Sequence, residues 1–324
     1  MKKTKIFKNI AIGSLTVFAA SQVAMFQFLL QYALNGKWNP PELPQKPKKT
    51  EKQLEWDRQG EEDSKWLLSL PMEKVNVKSF DGLNLVGHYI KASESKRLVI
   101  MFHGWRGTWE GDFGSIGKWL LSIGSDLLLV EQRGQGESDG KYMGFGILER
   151  RDVDSWIKYI TEERKSTIPV YLAGVSMGAA TVLMASSNAM SDLVKGIIAD
   201  CGFTTPYDML KTFGKAAFNM NEHPNMDILN FLVKKKAGYD LRDYSTLTAV
   251  KQTKIPIFFV HGTADDFVPC YMSEENYNAC VSQKHLLLVE GAGHCQNFLA
   301  DKERYTKEVS EFFGWINNIT LTDG

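Results

Sequence analysis

The sequence has no excess of charge of either sign, since 38 Lys and Arg residues balance 38 Asp and Glu residues in a chain of 324. A surface that binds nucleic acid needs clustered positive charge, so we expect no nucleic-acid partner. Cysteine is scarce: the chain has four, all in its second half and none in a C-x-x-C pair. This pattern argues against a zinc ribbon or a thioredoxin-type motif. We expect isolated, partly buried thiols, with disulfides an open alternative if the domain is exported.

A phosphate-binding signature is also missing. The glycine-rich stretch RGQGES at residues 133–138 matches neither the pattern G-x-x-x-x-G-K-S/T nor the pattern G-x-G-x-x-G. It follows an apolar run typical of an interior strand. We therefore interpret it as a turn and not as a phosphate cradle.

A long hydrophobic run lies near the N-terminus. After the basic start MKKTKIFK, residues 10–34 are mostly apolar, which is long enough for a membrane-spanning helix. We predict that residues 1–36 form a single-pass membrane anchor, with the domain that follows outside the cytoplasm. Lysines flank both ends of the run and give no clear orientation. A cleaved signal peptide followed by secretion, and a peripheral or buried helix, are the alternatives.

Residues 37–70 separate this run from the rest of the chain. The stretch NPPELPQKPKK cannot sustain a helix and favours an extended linker. The charged segment after it is predicted to be a helix that docks through Trp56, Trp66 and Leu67 and that ends before Pro71.

Residues 71–324 alternate between strand and helix patterns. A hairpin signal, Asp81-Gly82, joins the β-rich runs KVNVKSF and LNLVGHYI. Six continuous apolar runs follow: RLVIMF, DLLLVE, VYLAGV, GIIAD, IPIFFV and HLLLVE. Such runs are typical of strands covered on both faces. The pattern predicts an α/β fold with a doubly wound, mostly parallel, eight-stranded sheet, whose functional residues follow the carboxyl ends of the strands.

Ser176 lies between a predicted strand and a predicted helix, in the sequence GVSMG. Glycines two residues before and two residues after a serine allow a sharp turn that projects the hydroxyl above the sheet. A serine that only caps the helix is the simpler interpretation of an isolated match. The strand before and the helix after favour a nucleophile at Ser176.

A serine nucleophile needs a base, usually a histidine. His294 follows the last apolar run and stands downstream of both the serine and a candidate acid, in the order Ser, Asp, His. His103 and His261 each begin an H-G step at a strand end, where a histidine more often anchors the loop. We therefore predict His294 as the base.

The base needs a carboxylate partner, and an oxyanion needs two N–H donors. Asp265, in HGTADDFVP, is the predicted acid, with Asp266 and Asp200 as alternatives. The backbone N–H of Met177, directly after the serine, and the backbone N–H of Trp105, after the H-G step, are the predicted donors. No metal ion or organic cofactor is implied, because these groups supply nucleophile, base and charge stabilisation.

Together the motifs HGW, RGQGES, GVSMG and HGTADDFVP followed by GAGH resemble the α/β-hydrolase fold. In particular, they resemble the bacterial membrane-anchored esterase-like proteins and the related serine aminopeptidases of the S33-like group. The resemblance covers roughly residues 75–316 and implies the same nucleophile, base, acid and pair of amides. Two positions depart from the family pattern. Glu131 stands where the family has an aspartate, at a position with a structural role. Cys295 directly follows the base. We expect Cys295 to be a small buried residue.

Residues 204–253 interrupt the alternation, and in this fold such insertions form a helical cap. Its Phe213, Phe218, Met220, Met226 and Phe231 are candidates to line an acyl pocket, or to pack against the domain below.

The predicted activity is hydrolysis of carboxylic esters through an acyl-enzyme on Ser176, with a small-molecule ester as substrate. A serine aminopeptidase or amidase acting on short peptides is the alternative. It would need a carboxylate near the nucleophile, for which Glu110, Asp112 and Glu222 are candidates. A non-catalytic, membrane-tethered binding module is an alternative of a different class.

Overall fold

An eight-stranded sheet forms the centre of the molecule. A computed structural model describes residues 23–40 and 49–322, with side chains described to residue 314. The strands are β1 (Glu73–Lys78), β2 (Asn84–Ile90), β3 (Arg97–Phe102), β4 (Ser125–Val130), β5 (Val170–Val175), β6 (Val194–Asp200), β7 (Ile257–Gly262) and β8 (Lys284–Val289). Each strand coincides with one of the apolar or β-rich runs of the sequence. The predicted α/β class and the strand count are confirmed.

The strands lie in the order β1-β2-β4-β3-β5-β6-β7-β8. The first hairpin and the pairing of β2 with β4 are antiparallel, and all other pairings are parallel. Gly82 at the hairpin turn has a φ of +88°, which a glycine adopts without steric cost. Because β3, β5, β6, β7 and β8 run parallel, their carboxyl ends share one edge, and the loops after them meet there.

Helices cover both faces of the sheet. They are α1 (residues 23–34), α2 (Glu51–Leu68), α3 (Trp109–Ser122), α4 (Glu149–Lys158), α5 (Met177–Ala185), α6 (Pro206–Phe218), α7 (Asn225–Ala237), α8 (Thr246–Val250), α9 (Tyr271–Ala279), α10 (Asn297–Ala300) and α11 (Lys302–Thr322). Side chains alternate along each strand, so the β3 neighbours Val99 and Ile100 enter different core clusters. One cluster joins α4 and α5 to the sheet, and the other joins α3 and α11.

Helix α2 docks on α3, as the charged segment after the linker was expected to dock. Thr50 and Gln53 close its first turn with a reciprocal capping box. Gly114 on α3 allows a close approach, because a Cβ there would lie within 3 Å of the backbone of Asp63 and Ser64. Leu67 is fully buried against the sheet, while the neighbouring Leu68 remains 52% exposed.

The described part of the predicted anchor packs against protein. Helix α1 buries Phe26, Leu29, Leu30 and Leu34 in a cluster shared with the cap. Among the described residues, no helix is both long and apolar enough to span a bilayer. Residues 1–22 of the predicted anchor, and most of the proline-rich linker at 41–48, lie outside the described residues. The prediction that a membrane helix continues to residue 36 is not supported, because the apolar face of residues 23–34 contacts the domain.

The insertion between β6 and β7 contains α6, α7 and α8. Helices α6 and α7 form a helical cap, whereas α8 packs Val250 into the core cluster that contains α5. Helix α6 begins at Pro206 after the capping residue Thr205, whose hydroxyl accepts a hydrogen bond from the N–H of Asp208 at 2.9 Å. On α7, Met226 is fully buried and Phe231 is 62% exposed. Phe231 follows Met226 by five residues, and this spacing places it on the opposite face of α7. The prediction that Phe231 lines a pocket is therefore wrong.

Replacing Leu67 by Ala is expected to lower the free energy of unfolding by about 2–5 kcal/mol, because a fully buried side chain leaves a cavity. The matched change Leu68→Ala, on the exposed side of the same turn, is expected to stay within about 0.5 kcal/mol of the parent. Urea denaturation of the three proteins measures both values. Equal effects of the two substitutions would contradict the docking of α2 through Leu67.

Candidate active site

Ser176 lies on a sharp turn between β5 and α5. Its φ of 54° and ψ of −115° are in a region that side-chain-bearing residues rarely adopt. The N–H of Ser176 donates to the carbonyl oxygen of Asp200 at 2.8 Å, which ties the turn to the end of β6. The serine hydroxyl makes no helix-capping hydrogen bond. The helix-capping interpretation of Ser176 is therefore excluded by its conformation.

Two glycines make this turn possible. A Cβ on Gly174 would overlap the backbone of Gly178, and a Cβ on Gly178 would overlap the carbonyl group of Phe102. The glycines that the sequence pattern required are thus at the points where three backbone segments touch.

His294 connects Ser176 to Asp265. Its Nε2 lies 3.0 Å from Oγ of Ser176, and its Nδ1 lies 2.7 Å from Oδ2 of Asp265. The base comes from the loop after β8 and the acid from the loop after β7. The structure therefore brings the three predicted side chains into one hydrogen-bonded chain.

The Asp265 carboxylate is held by several donors. Its Oδ1 accepts the N–H groups of Phe267 and Val268, both at 2.9 Å, and Nε2 of His261 lies 3.3 Å from its Oδ2. Burial alone would raise the pKa of this carboxyl, but hydrogen bonds and charge from His261 and His294 hold it well below the ordinary value. Asp265 is thus a permanent negative charge beside His294.

Neighbouring groups shift the pKa of the His294 ring. Burial disfavours the imidazolium, while the adjacent Cys201 sulfur and the Asp265 carboxylate favour it, and together they raise the pKa of His294 well above its ordinary value. The side chain keeps about a fifth of its surface exposed, so that it remains accessible from the cleft.

The alternative candidates for the acid and the base lie in other surroundings. Asp200 accepts from Asn297 at 2.5 Å and from Tyr305 at 3.2 Å, and Asp266 is exposed. His103 is buried and bonded within its own loop, with Nδ1 2.9 Å from the Gly104 carbonyl oxygen. His261 binds Ser273 and the Val268 carbonyl group, which places it behind Asp265 and not beside Ser176.

The two N–H groups predicted to stabilise an oxyanion are unoccupied. Within the described part of the chain, neither the N–H of Met177 nor the N–H of Trp105 donates a hydrogen bond. The neighbouring N–H of Gly104 is already taken, since it donates to Oδ2 of Asp112 at 2.6 Å. Asp112 therefore fixes the turn that carries the Trp105 N–H, a role with no signal in the sequence.

Two cysteines flank the base. All four cysteines are free thiols, as expected, but the sulfur atoms of Cys201 and Cys295 are in contact, 3.7 Å apart. Cys295 was expected to be buried, but the residue is exposed, and its backbone has a φ of +60°. With His294 they place three potential metal-ligand atoms within 4.8 Å of one another, although both ring nitrogens of His294 are already hydrogen-bonded.

A small apolar pocket lies on the cap side of Ser176. Its volume is about 20 Å³, whereas roughly 10–15 Å³ suffices for one water molecule. The lining comes from α1, the loops at the strand ends and the cap: Ala33, Trp105, Phe145, Phe203, Met209, Leu210, Phe213 and Phe267. Of the cap residues predicted to line a pocket, Phe213 does so.

A wider cleft opens on the other side, next to His294. It has a volume of about 220 Å³ and is lined by Gly107, Asp112 and Cys295 together with the Ser176 turn. It continues past Asp112 and Cys295 into a groove of about 420 Å³ along α2. Ser176 thus lies between a small apolar pocket and a larger, more open cleft that Asp112 also lines.

Comparisons with known proteins found similar sequences. Residues 93–225 match the family model of the S33 serine aminopeptidases. An uncharacterized Bacillus subtilis protein, YqkD, is 26% identical over 77% of this chain and 82% of its own length. The Arabidopsis thaliana α/β-hydrolase domain-containing protein WAV2 is 23% identical over 76% of this chain and 79% of its own length.

Solved structures share the sheet and its crossovers. An esterase of Pyrococcus furiosus, PF2001, superimposes with a TM-score of 0.64 over 78% of this chain and 93% of its own, at 22% identity. The chain has the α/β-hydrolase fold. Another solved structure with a similar fold is Est1E of Butyrivibrio proteoclasticus with ferulic acid bound, which has a TM-score of 0.59 over 75% of this chain and 99% of its own, at 20% identity.

The glutamate at position 131 has a structural role. Glu131 binds Nε2 of His88 at 2.8 Å and accepts the N–H of Glu137, closing the RGQGES turn. Arg133 in the same turn is buried between the carboxylates of Asp152 and Asp81, at 2.6 and 3.0 Å. The charged side chains of Glu131 and Arg133 thus bind other groups of the protein, as expected for a structural loop.

Replacing Asp265 by Asn is expected to lower the pKa of His294, because the substitution removes the negative charge that favours the imidazolium. The parent ring is expected to titrate above the usual histidine value of about 6.5. Nuclear magnetic resonance of the imidazole protons measures both values. The control Asp266→Asn changes the same charge at an exposed site and should leave the titration in place. Equal titrations in all three proteins would contradict the pairing.

Proposed function

We propose that the protein is a serine hydrolase that cleaves carboxylic esters with small acyl groups. The observation that carries the proposal is the chain of hydrogen bonds from Ser176 through His294 to Asp265, with distances of 3.0 and 2.7 Å. A serine hydroxyl is a weak nucleophile at neutral pH and becomes effective when an oriented base takes its proton.

In the first step Oγ of Ser176 attacks the ester carbonyl carbon, and its proton passes to Nε2 of His294. The imidazolium formed is stabilised by Asp265, whose Oδ1 is fixed by two backbone N–H groups. The carbonyl oxygen becomes an oxyanion and accepts hydrogen bonds from the free N–H groups of Met177 and Trp105. Each donor of this kind contributes about 10² to 10³ in rate.

Collapse of the tetrahedral intermediate breaks the bond to the alcohol, which takes the proton from His294. The leaving alcohol therefore departs on the His294 side, through the cleft of about 220 Å³. Water then enters by the same route, gives a proton to His294 and attacks the acyl group on Ser176. Release of the carboxylic acid restores the serine hydroxyl.

The two spaces around Ser176 suggest the substrate class. The acyl group enters the apolar pocket, whose volume of about 20 Å³ suits an acetyl or similarly short chain. The cleft and groove beside His294 are an order of magnitude larger and suit a bulky alcohol.

Aminopeptidase activity is a second candidate, because Asp112 lines the cleft with Ser176 and His294. Glu222, another carboxylate considered from the sequence, interacts with Tyr207 and Lys211 in the cap instead. Asp112 is a weak partner for an ammonium group: burial raises its pKa, and one oxygen already accepts the Gly104 N–H. Esters therefore fit better than peptides.

A fluorophosphonate probe applied to the full chain is expected to label Ser176, because the reagent reacts with an activated serine. The variant Ser176→Ala should take no label and should hydrolyse p-nitrophenyl acetate no faster than buffer. Mass spectrometry of the tryptic peptides locates the adduct. A folded parent protein that neither takes label nor cleaves esters or aminoacyl anilides would support the binding-module alternative.

Replacing Phe213 by Ala is expected to shift the preference toward longer acyl chains, because Phe213 closes the apolar pocket. The ratio of kcat/KM for p-nitrophenyl octanoate to that for the acetate should rise about tenfold or more, since each buried methylene contributes about 0.8 kcal/mol. The control Phe231→Ala removes an exposed phenylalanine of the same cap and should leave the ratio unchanged. A ratio that does not move in Phe213→Ala would mean that acyl groups bind elsewhere.

A further inference from the structure

Arg106 binds the C-terminal end of helix α1. Its guanidinium donates to the carbonyl oxygens of Tyr32 at 3.2 Å, Asn35 at 2.6 Å and Trp38 at 2.6 Å. The last carbonyl groups of a helix lack partners within the helix, and a cation there also complements the helix dipole. The planar guanidinium, with five donors, suits three acceptors around one helix end.

The same residue belongs to the turn that carries the Trp105 N–H. Arg106 has a φ of +57°, which is rare for a residue other than glycine, and its own N–H donates to Oε1 of Gln135 at 2.8 Å. The indole Nε1 of Trp105 donates to the Ala33 carbonyl oxygen at 2.8 Å. Two consecutive residues of the turn are thus bound to α1.

Helix α1 also forms a wall of the apolar pocket. Ala33 lines the pocket beside Ser176, and the Tyr32 ring stacks on Phe213 of the cap with centroids 5.7 Å apart and planes 10° apart. Tyr32 also packs on the Trp105 ring, at 5.5 Å. Residues 32 and 33 of α1 therefore contact the turn that carries the Trp105 N–H, the cap and the apolar pocket.

We propose that helix α1 is part of the catalytic site and that Arg106 is a positioning residue that couples this helix to the turn carrying the Trp105 N–H. The inference rests on the proposed esterase function. Arg106 does not touch the reacting atoms. It holds the backbone so that the Trp105 N–H points to the place where the oxyanion develops, an interaction made in the transition state and not in the bound ester.

The test compares the parent with Arg106→Lys and Arg106→Asn in the full chain. Asparagine tolerates a positive φ better than alanine, so the second variant removes the guanidinium with little added backbone strain. For hydrolysis of p-nitrophenyl acetate, kcat should fall about 10- to 100-fold in Arg106→Asn, less than for complete loss of a donor. KM should change by less than about threefold, since the lost stabilisation is specific to the transition state. Lysine should restore part of the rate, because it can reach one or two of the three carbonyls.

Hydrogen exchange of residues 23–34 provides a second readout that does not depend on catalysis. Arg106→Asn should increase exchange in this helix, and the control Arg304→Ala, a half-exposed arginine on α11, should change neither exchange nor kcat. Unchanged exchange in Arg106→Asn would overturn the coupling, even in a protein that hydrolyses no ester. Increased exchange with an unchanged kcat would show that α1 is bound but does not position the turn. Failure of the esterase function itself would appear separately, as an inactive parent protein.

Discussion

The arrangement of the site depends on one steric constraint, the contact between the Ser176 turn and the end of β3. Gly178 touches the carbonyl group of Phe102 and Gly174 touches Gly178, so three backbone segments meet with no room for a Cβ. This contact holds Ser176 at a positive φ and places its hydroxyl above the sheet edge. His294 and Asp265 come from loops at the same edge. Their distances from the serine hydroxyl therefore depend on where this turn holds Ser176.

Much of the fold and the candidate site could be predicted from the sequence, because both follow local patterns. Six continuous apolar runs and two β-rich runs marked the eight strands, and Ser176, Asp265 and His294 each stand just after one of the apolar runs. The hydrophobic residues of α1 could not be assigned in this way, because a helix that packs on a cap and a helix that enters a membrane have similar composition. Contacts that depend on loop conformation, such as Cys201 beside Cys295, also leave no periodic signal.

Charge in the site is distributed unevenly, and the distribution follows from the topology. The acyl side is lined almost entirely by apolar side chains from the cap and α1. The side of His294 contains the carboxylates of Asp112 and Asp265 and opens to the groove along α2. The Asp265 carboxylate beside the ring favours the imidazolium form of His294.

The contacts of α1 also bear on how the chain folds. This helix precedes the domain in the sequence, yet Phe28 and Tyr32 pack on Phe218 and Phe213, which are made only after six strands of the sheet. During synthesis its apolar face therefore has no partner for most of the time that the domain takes to emerge from the ribosome. Contacts of such long sequence separation carry a loop-closure cost before they form, and the apolar pocket cannot be complete until the cap has been synthesised.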